Sequence, residues 1–124
     1  MSTPTKTIIT NIQTFDNHKK WMGYEITMND PTKNIICKID NIDRCCENWG
    51  IHTKDNINEF IGAEFNSIDV SKIKCNRYDE MSIIDITITT DKGIFVLQFY
   101  NQHNGYYSHD VYIQTEQGVT IIKL

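Results

Sequence analysis

The sequence predicts an α+β fold, in which a mainly antiparallel β-sheet carries one or two short helices. The strongest indication is the last third of the chain, where β-rich runs span Ile83–Thr90, Ile94–Tyr100 and Tyr106–Ile113. Turn-forming residues separate these runs, at Asp91-Lys92-Gly93 and at Asn101–Gly105. Because consecutive strands joined by short turns pair with each other, the three runs predict a β-meander.

The predicted core follows from the alternation of apolar and polar residues in the first two of these runs. An apolar residue at every second position is the pattern of a strand that buries one face. The residues expected to face the core are Ile84, Ile86 and Ile88 on one strand and Phe95, Leu97 and Phe99 on the next.

Five further strands are predicted outside the meander. Thr7–Thr14 is rich in threonine and isoleucine, and it forms either a strand or an extended arm. Turn chemistry at residues 29–34 predicts a hairpin between the two runs on either side. The remaining strands are Tyr24–Met28, Ile35–Ile39, Phe65–Ile73 and Val119–Leu124. Residues 40–54 predict an irregular strand and loop, and residues 75–80 a polar connection.

Two short helical segments complete the prediction. Asp16 or Asn17 caps a helical turn over residues 18–22, which Gly23 ends. The second helix covers residues 55–62, where Asn56 and Glu59 have the spacing of a capping box. It is about two turns long, so packing must hold it in place.

Composition bounds the class of protein and its partners. A chain of 124 residues has room for a single domain over residues 1–124. The net charge of −4 argues against nucleic acid as a partner, and no apolar window reaches the roughly 18 residues of a membrane span. The first residues lack the apolar core of a secretory signal. We therefore expect a reducing compartment, with free thiols at Cys37, Cys45, Cys46 and Cys75.

Cys45-Cys46-Glu47, followed by Trp49, is the first of two chemically distinctive segments. A nucleophilic cysteine requires a neighbouring base, which His52, His103 or His109 could supply, whereas the structural alternative is a cysteine pair packed under a loop. The closest cysteine–histidine and histidine–histidine pairs are six residues apart, which is not a zinc spacing. We therefore expect no metal and no cofactor.

The second distinctive segment is the polar and aromatic stretch that joins the last two predicted strands of the meander. It contains His103, Asn104, Gly105, Tyr106, Tyr107, Ser108 and His109. Strand alternation places Asp110 and Tyr112 on one face and His109, Val111 and Ile113 on the other. Tyrosines among hydrogen-bonding groups are typical of a recognition surface, but cross-strand tyrosine packing is the alternative.

The order of these motifs resembles an uncharacterised domain family of tailed bacteriophages and large DNA (giant) viruses. The residues that carry the resemblance are Trp21-Met22-Gly23, Cys45-Cys46-Glu47, Phe60-Ile61-Gly62 and Asn104-Gly105-Tyr106-Tyr107-Ser108. The resemblance covers residues 21–113 and makes residues 1–20 an N-terminal extension. It implies a viral protein in the cytoplasm of an infected host cell or in the virion, but no activity. The excess of isoleucine, lysine and asparagine, which have A/T-rich codons, favours a giant virus.

Two functions therefore remain open. The first is a non-enzymatic viral accessory protein that binds a protein partner or itself. The second is a small-molecule or metal site, with hydrolysis as one activity that it could support, formed where Cys45-Cys46-Glu47 approaches the Asn104–His109 segment. Both hypotheses expect the two segments to lie close together, with Tyr106 or Tyr107 near Cys46 and Trp49.

Overall fold

The computed structural model describes residues 6–17, 20–40, 48–76, 81–102 and 109–124. These contain ten strands: β1 (Ile9–Asn17), β2 (Trp21–Met28), β3 (Ile35–Asp40), β4 (Asn48–His52), β5 (Phe65–Val70), β6 (Lys74–Asn76), β7 (Met81–Thr90), β8 (Gly93–Gln102), β9 (Asp110–Thr115) and β10 (Gly118–Lys123). Short 3-10 segments lie at Pro31–Lys33 and Ile57–Phe60. All pairings between these strands are antiparallel.

The strands form two sheets that pack on one core. Sheet 1 has the order β1-β2-β3-β9-β10, and sheet 2 has the order β4-β8-β7-β5 with β6 also paired to β7. The six side chains predicted for the core, three on β7 and three on β8, are all fully buried. Sheet 1 contributes the other half of the same cluster, including Ile26, Ile39 and Val111. The described chain is therefore a β-sandwich.

The predicted α+β class is wrong in its helical part, because the described residues form strands and 3-10 turns. The expected helical turn at residues 16–22 is wrong where described: Asp16 belongs to β1 and Trp21 to β2. Gly23 does not end a helix there but lies within β2. A Cβ atom at this position would lie 2.7 Å from Lys38 Cα, so glycine allows β2 to approach β3 closely.

The predicted helix over residues 55–62 is a 3-10 segment of four residues. The Asn56 side chain makes no capping bond to the backbone and instead lies 3.4 Å from Glu59 Oε1. Beyond it, the Gly62 amide donates to the Ile9 carbonyl at 2.7 Å and the Ile9 amide donates to the Ala63 carbonyl at 2.9 Å. Pairing with β1 therefore takes the backbone groups that a longer helix would need.

The predicted meander is correct for β7 and β8 but wrong for β9. β8 pairs with β7 on one side and with β4 on the other, so both of its edges are occupied. β9 instead crosses to sheet 1, where it pairs with β3 and β10. The strand that takes the place of β9 beside β8 comes from residues 48–52, within the region predicted to be irregular.

The remaining strand predictions are largely confirmed. The predicted segment Thr7–Thr14 overlaps strand β1 and does not form a separate arm. The hairpin of β2 and β3 and the strands β5 and β10 are present. Cys75 and Asn76, expected to be part of a polar connection, belong to the short strand β6. Among the described residues, no helix is long and apolar enough to cross a membrane.

Candidate functional site

The two chemically distinctive segments, Cys45-Cys46-Glu47 and 103–108, lie outside the described residues. The positions that flank them are described and are close together. Asn48, directly after the first segment, pairs with Gln102, directly before the second. Trp49 stacks on His109, the first described residue after the second segment, with ring centroids 4.4 Å apart at an angle of 28°. The two segments are thus attached at the same end of the sandwich.

Asp40 and His109 form a buried pair at this end. The His109 ring is fully buried, and its Nδ1 atom lies against Asp40 Oδ1 and 3.2 Å from the Asp40 carbonyl oxygen. The second carboxylate oxygen accepts a hydrogen bond of 2.7 Å from the Asp110 amide. One carboxylate therefore fixes both the imidazole and the start of β9, as expected for buried polar groups.

The backbone around His109 is held by the end of the chain. His109 and Leu124 exchange two backbone hydrogen bonds, of 3.1 and 2.8 Å. The buried Asn101 side chain on β8 donates from Nδ2 to the Leu124 carbonyl at 2.9 Å. We call Asp40, Trp49, Asn101, His109 and Leu124 the histidine cluster. Because its members come from both sheets, the histidine cluster joins them.

The histidine cluster has one chemical capability beyond structure. The Asp40 carboxylate fixes the orientation of the imidazole through Nδ1, an arrangement that also orients general bases and metal-bound histidines. Among the described residues, no group of three histidine, cysteine or acidic side chains is placed to hold a metal. Burial raises the pKa of the Cys37 thiol to about 12, which makes this cysteine a poor nucleophile.

A second candidate site lies on the outer, solvent-facing side of sheet 1. Lys38 Nζ lies 4.7 Å from the Trp21 ring centroid and 4.5 Å from that of Tyr112, and the two rings are 6.0 Å apart. A lysine in this position is stabilised by the electron-rich ring faces. In the described part of the chain Lys38 forms no ion pair with a carboxylate. We call Trp21, Lys38 and Tyr112 the aromatic–lysine patch.

Strand register builds the aromatic–lysine patch. Gly23 pairs with Lys38, and Lys38 pairs with Tyr112, so they lie in one row across sheet 1. The row continues to Ile121 on β10, of which 61% is exposed. Val119, on the same face and 51% exposed, extends the apolar surface. Aromatic rings, one cation and exposed aliphatic side chains are thus adjacent.

The sequence predicted part of each site. Trp49 and His109 were candidate binding residues, and they are in contact. His52 was a candidate base, but it lies on the exposed side of β4, whereas His109 is fully buried. Lys38 and Trp21 were missed as site residues because Trp21 was assigned to a helical turn. The predicted pairing of β2 with β3 was the signal that could have brought Trp21 and Lys38 together.

The fold and the sites together define a class: a small, antiparallel β-sandwich with a buried histidine–carboxylate pair and an exposed aromatic–lysine patch. The chain matches the model of a domain of unknown function, DUF7448, over residues 5–113, and it belongs to that family. No curated protein and no solved structure matches the chain.

Proposed function

We propose that this protein is a non-enzymatic binding module of viral origin, and that the aromatic–lysine patch is its recognition surface. The supporting observation is Lys38, a cation held between Trp21 and Tyr112 with no carboxylate partner among the described residues. Tryptophan and tyrosine are enriched at protein interfaces and can contribute much of the binding energy. The resemblance to viral domains and the A/T-rich codon bias support the origin.

The chemistry of the patch defines the partner. Lys38 attracts a carboxylate, and the neighbouring Ile121 and Val119 side chains favour an apolar surface around it. A nucleic acid is a poor fit, because the chain carries a net charge of −4 and the patch contains a single cation. The partner we propose is therefore a protein that presents an acidic residue within an apolar patch.

Affinity capture from extracts of infected host cells tests this function. The bait is the wild-type chain, the site variant is Tyr112→Ala, and the matched control is Tyr100→Ala on the outer side of sheet 2. We expect the wild type and Tyr100→Ala to capture a partner that Tyr112→Ala does not capture. Circular dichroism should show that all three proteins are folded. Equal capture by both variants would contradict it.

A second function rests on the Asp40–His109 pair. Here the proposed ligand or metal site, with possible hydrolytic activity, combines His109 and Trp49 with the segments attached beside them, that is Cys45, Cys46, Glu47, His103, Asn104, Gly105, Tyr106, Tyr107 and Ser108. The observation that supports this alternative is the carboxylate on His109 Nδ1, because carboxylates orient histidines in this way in catalytic and metal sites.

Zinc titration separates this second function from a structural role of the same residues. If these residues form a metal site, the wild type should bind zinc stoichiometrically. The variants Cys46→Ser and His109→Gln should then lose zinc binding but retain the fold. If their role is structural, His109→Gln should lower the midpoint of urea unfolding. Zinc should then have no effect on the unfolding of the wild type. The control is Cys75→Ser, which changes an exposed cysteine on β6.

We further propose that the protein acts in the cytoplasm of the infected cell, with the virion as the second location. Immunoblots of purified virions and of cytoplasmic fractions distinguish the two. Recovery of the protein in neither fraction would contradict the proposed location.

A further inference from the structure

The outer edge of strand β10 has backbone groups that can pair with another strand. His109 and Leu124 exchange two backbone hydrogen bonds, and the β9–β10 register continues without a bulge to Gly118. Groups along an antiparallel strand alternate between its two sides. The amides and carbonyls of Val119, Ile121 and Lys123 therefore point away from β9. Among the described strands, β10 pairs with β9 alone.

The described edge strands differ in how they are protected. The pairing of β1 shifts register between Ile9 and Asn11, and the pairing of β5 shifts between Phe65 and Ser67. Such irregularities twist an edge and discourage further pairing. β10 has a regular register, no proline and one charged residue, Lys123. Its Val119 and Ile121 side chains are among the most exposed large apolar residues described.

From these observations we infer that β10 pairs antiparallel with β10 of a second copy of this chain, related by a two-fold axis at Thr120. This register places Val119 of one copy opposite Ile121 of the other, twice. The two pairs exchange four backbone hydrogen bonds, because both residues point outward. Moving the axis to Ile121 would instead place Val119 opposite the charged Lys123. Apolar matching therefore selects the axis at Thr120.

Charge complementarity favours this arrangement over a parallel one. In the antiparallel register Lys123 lies opposite Gln117 of the second copy, next to the acidic Glu116. The two Lys123 residues are six positions apart, about 20 Å at the rise of a β-strand, which exceeds the screening length at physiological salt. A parallel pair would place the two lysines side by side.

The dimer joins two copies of sheet 1 into one ten-stranded antiparallel sheet. The row that contains Lys38, Tyr112 and Ile121 then continues into Val119 of the partner copy. This inference goes beyond the proposed function, because it concerns an edge of the sheet and the second copy, and not the partner of the patch. The dimer can therefore be disproved while partner capture succeeds, and partner capture can fail while the dimer is found.

Sedimentation equilibrium of the purified chain over a concentration series tests the dimer. The site variant is Ile121→Lys, and the matched control is Ile94→Lys, which changes an isoleucine with 54% exposure on sheet 2. The wild type and Ile94→Lys should dimerise, and Ile121→Lys should raise the dissociation constant about tenfold or more, equivalent to 1.4 kcal/mol or more. A monomeric wild type, or equal effects of the two variants, would overturn the inference.

Disulfide trapping tests the register independently of any loss of stability. In a background with Cys45, Cys46 and Cys75 replaced by serine, chains carrying Val119→Cys are mixed with chains carrying Ile121→Cys. Directly opposite residues that exchange hydrogen bonds have Cα atoms about 5.5 Å apart, within disulfide range. The mixture should form a covalent dimer under mild oxidation, and each chain alone should form much less. Equal cross-linking in all three samples would reject the register.

Discussion

The outer faces of the two sheets follow the same alternation of side chains but differ in how their polar groups are satisfied. On sheet 2, Asp85 accepts hydrogen bonds of 3.0 Å from both Gln98 and Lys74, and the Asp85 amide donates to Ser71 Oγ. On sheet 1, Lys38 is held by aromatic rings. On sheet 2 the charges of Asp85 and Lys74 satisfy each other, whereas on sheet 1 Lys38 contacts aromatic rings and has no carboxylate partner among the described residues. This difference is the reason that we propose sheet 1, and not sheet 2, as the recognition face.

The largest effect is expected beneath both faces, in the shared core. Phe99→Ala removes a fully buried ring and should lower the free energy of unfolding by ~3–5 kcal/mol. Gln98→Ala, at the neighbouring position on the outer side of β8, should cost far less. Urea unfolding measures both. A loss below about 1 kcal/mol for Phe99→Ala would be that of a surface position and would mean that the register of β8 is inverted.

Gly23→Ala should damage sheet 1 selectively. The added Cβ would lie 2.7 Å from Lys38 Cα and 2.8 Å from Lys38 Cβ, so β2 and β3 must separate. We expect a loss of ~1–3 kcal/mol, as for other overpacked sites. Chemical shifts of sheet 1 amides should change, and those of the β7–β8 hairpin should not. Gln114→Ala, an exposed change on the same face, is the control; a stable Gly23→Ala protein would contradict the close approach.

Lys38→Met retains the apolar stem but removes the charge between the rings. We expect the free energy of unfolding to fall by ~0.5–1 kcal/mol, the range of an exposed cation–π interaction. Lys54→Met changes an exposed lysine outside both sheets and should have no effect. If the two variants unfold alike, the ring contacts of Lys38 do not stabilise the protein.

The smallest effect concerns acid stability on sheet 2. The pKa of Asp85 is lowered from 3.8, first by the hydrogen bond from Gln98 and then by Lys74. A lowered folded-state pKa contributes stability above pH 3.8 that is lost as the pH falls through the lower folded-state value. Wild type should therefore lose stability more steeply in acid than Asp85→Asn. Asp69→Asn, on the exposed side of β5, should follow the wild type; parallel curves for all three would remove Asp85 as a cause.

Local sequence signals predicted the hairpins, whereas the other strand pairings depend on contacts between residues far apart in the sequence. The β2–β3 and β7–β8 pairs each combine a turn signal with β-rich runs on either side, so the sequence specifies them within about 20 residues. Which strand occupies the second edge of β8 depends on β4, whose five residues include Gly50 and give a weak pattern. Trp21 was assigned to a helical turn because a glycine such as Gly23 often ends a helix. In the structure, Gly23 instead allows β2 and β3 to approach each other closely.

The candidate sites show the same limit. His109 and Tyr112 were correctly assigned to opposite faces of one strand, because alternation is a local property. Their partners Asp40 and Lys38 come from β3, about 70 residues earlier. No spacing in the sequence reports that contact. Sequence reasoning therefore identified only part of each site.

We propose that the outer face of sheet 1, and not that of sheet 2, contacts a partner protein. Site-specific photo-cross-linking in the cell extracts used for affinity capture tests this proposal directly, with benzoylphenylalanine placed at Gln114, beside the aromatic–lysine patch, or at Thr87 on the outer side of sheet 2. We expect a covalent adduct with a protein other than the chain itself from position 114, and none from position 87. Adducts from position 87 alone, or equal adducts from both, would contradict it.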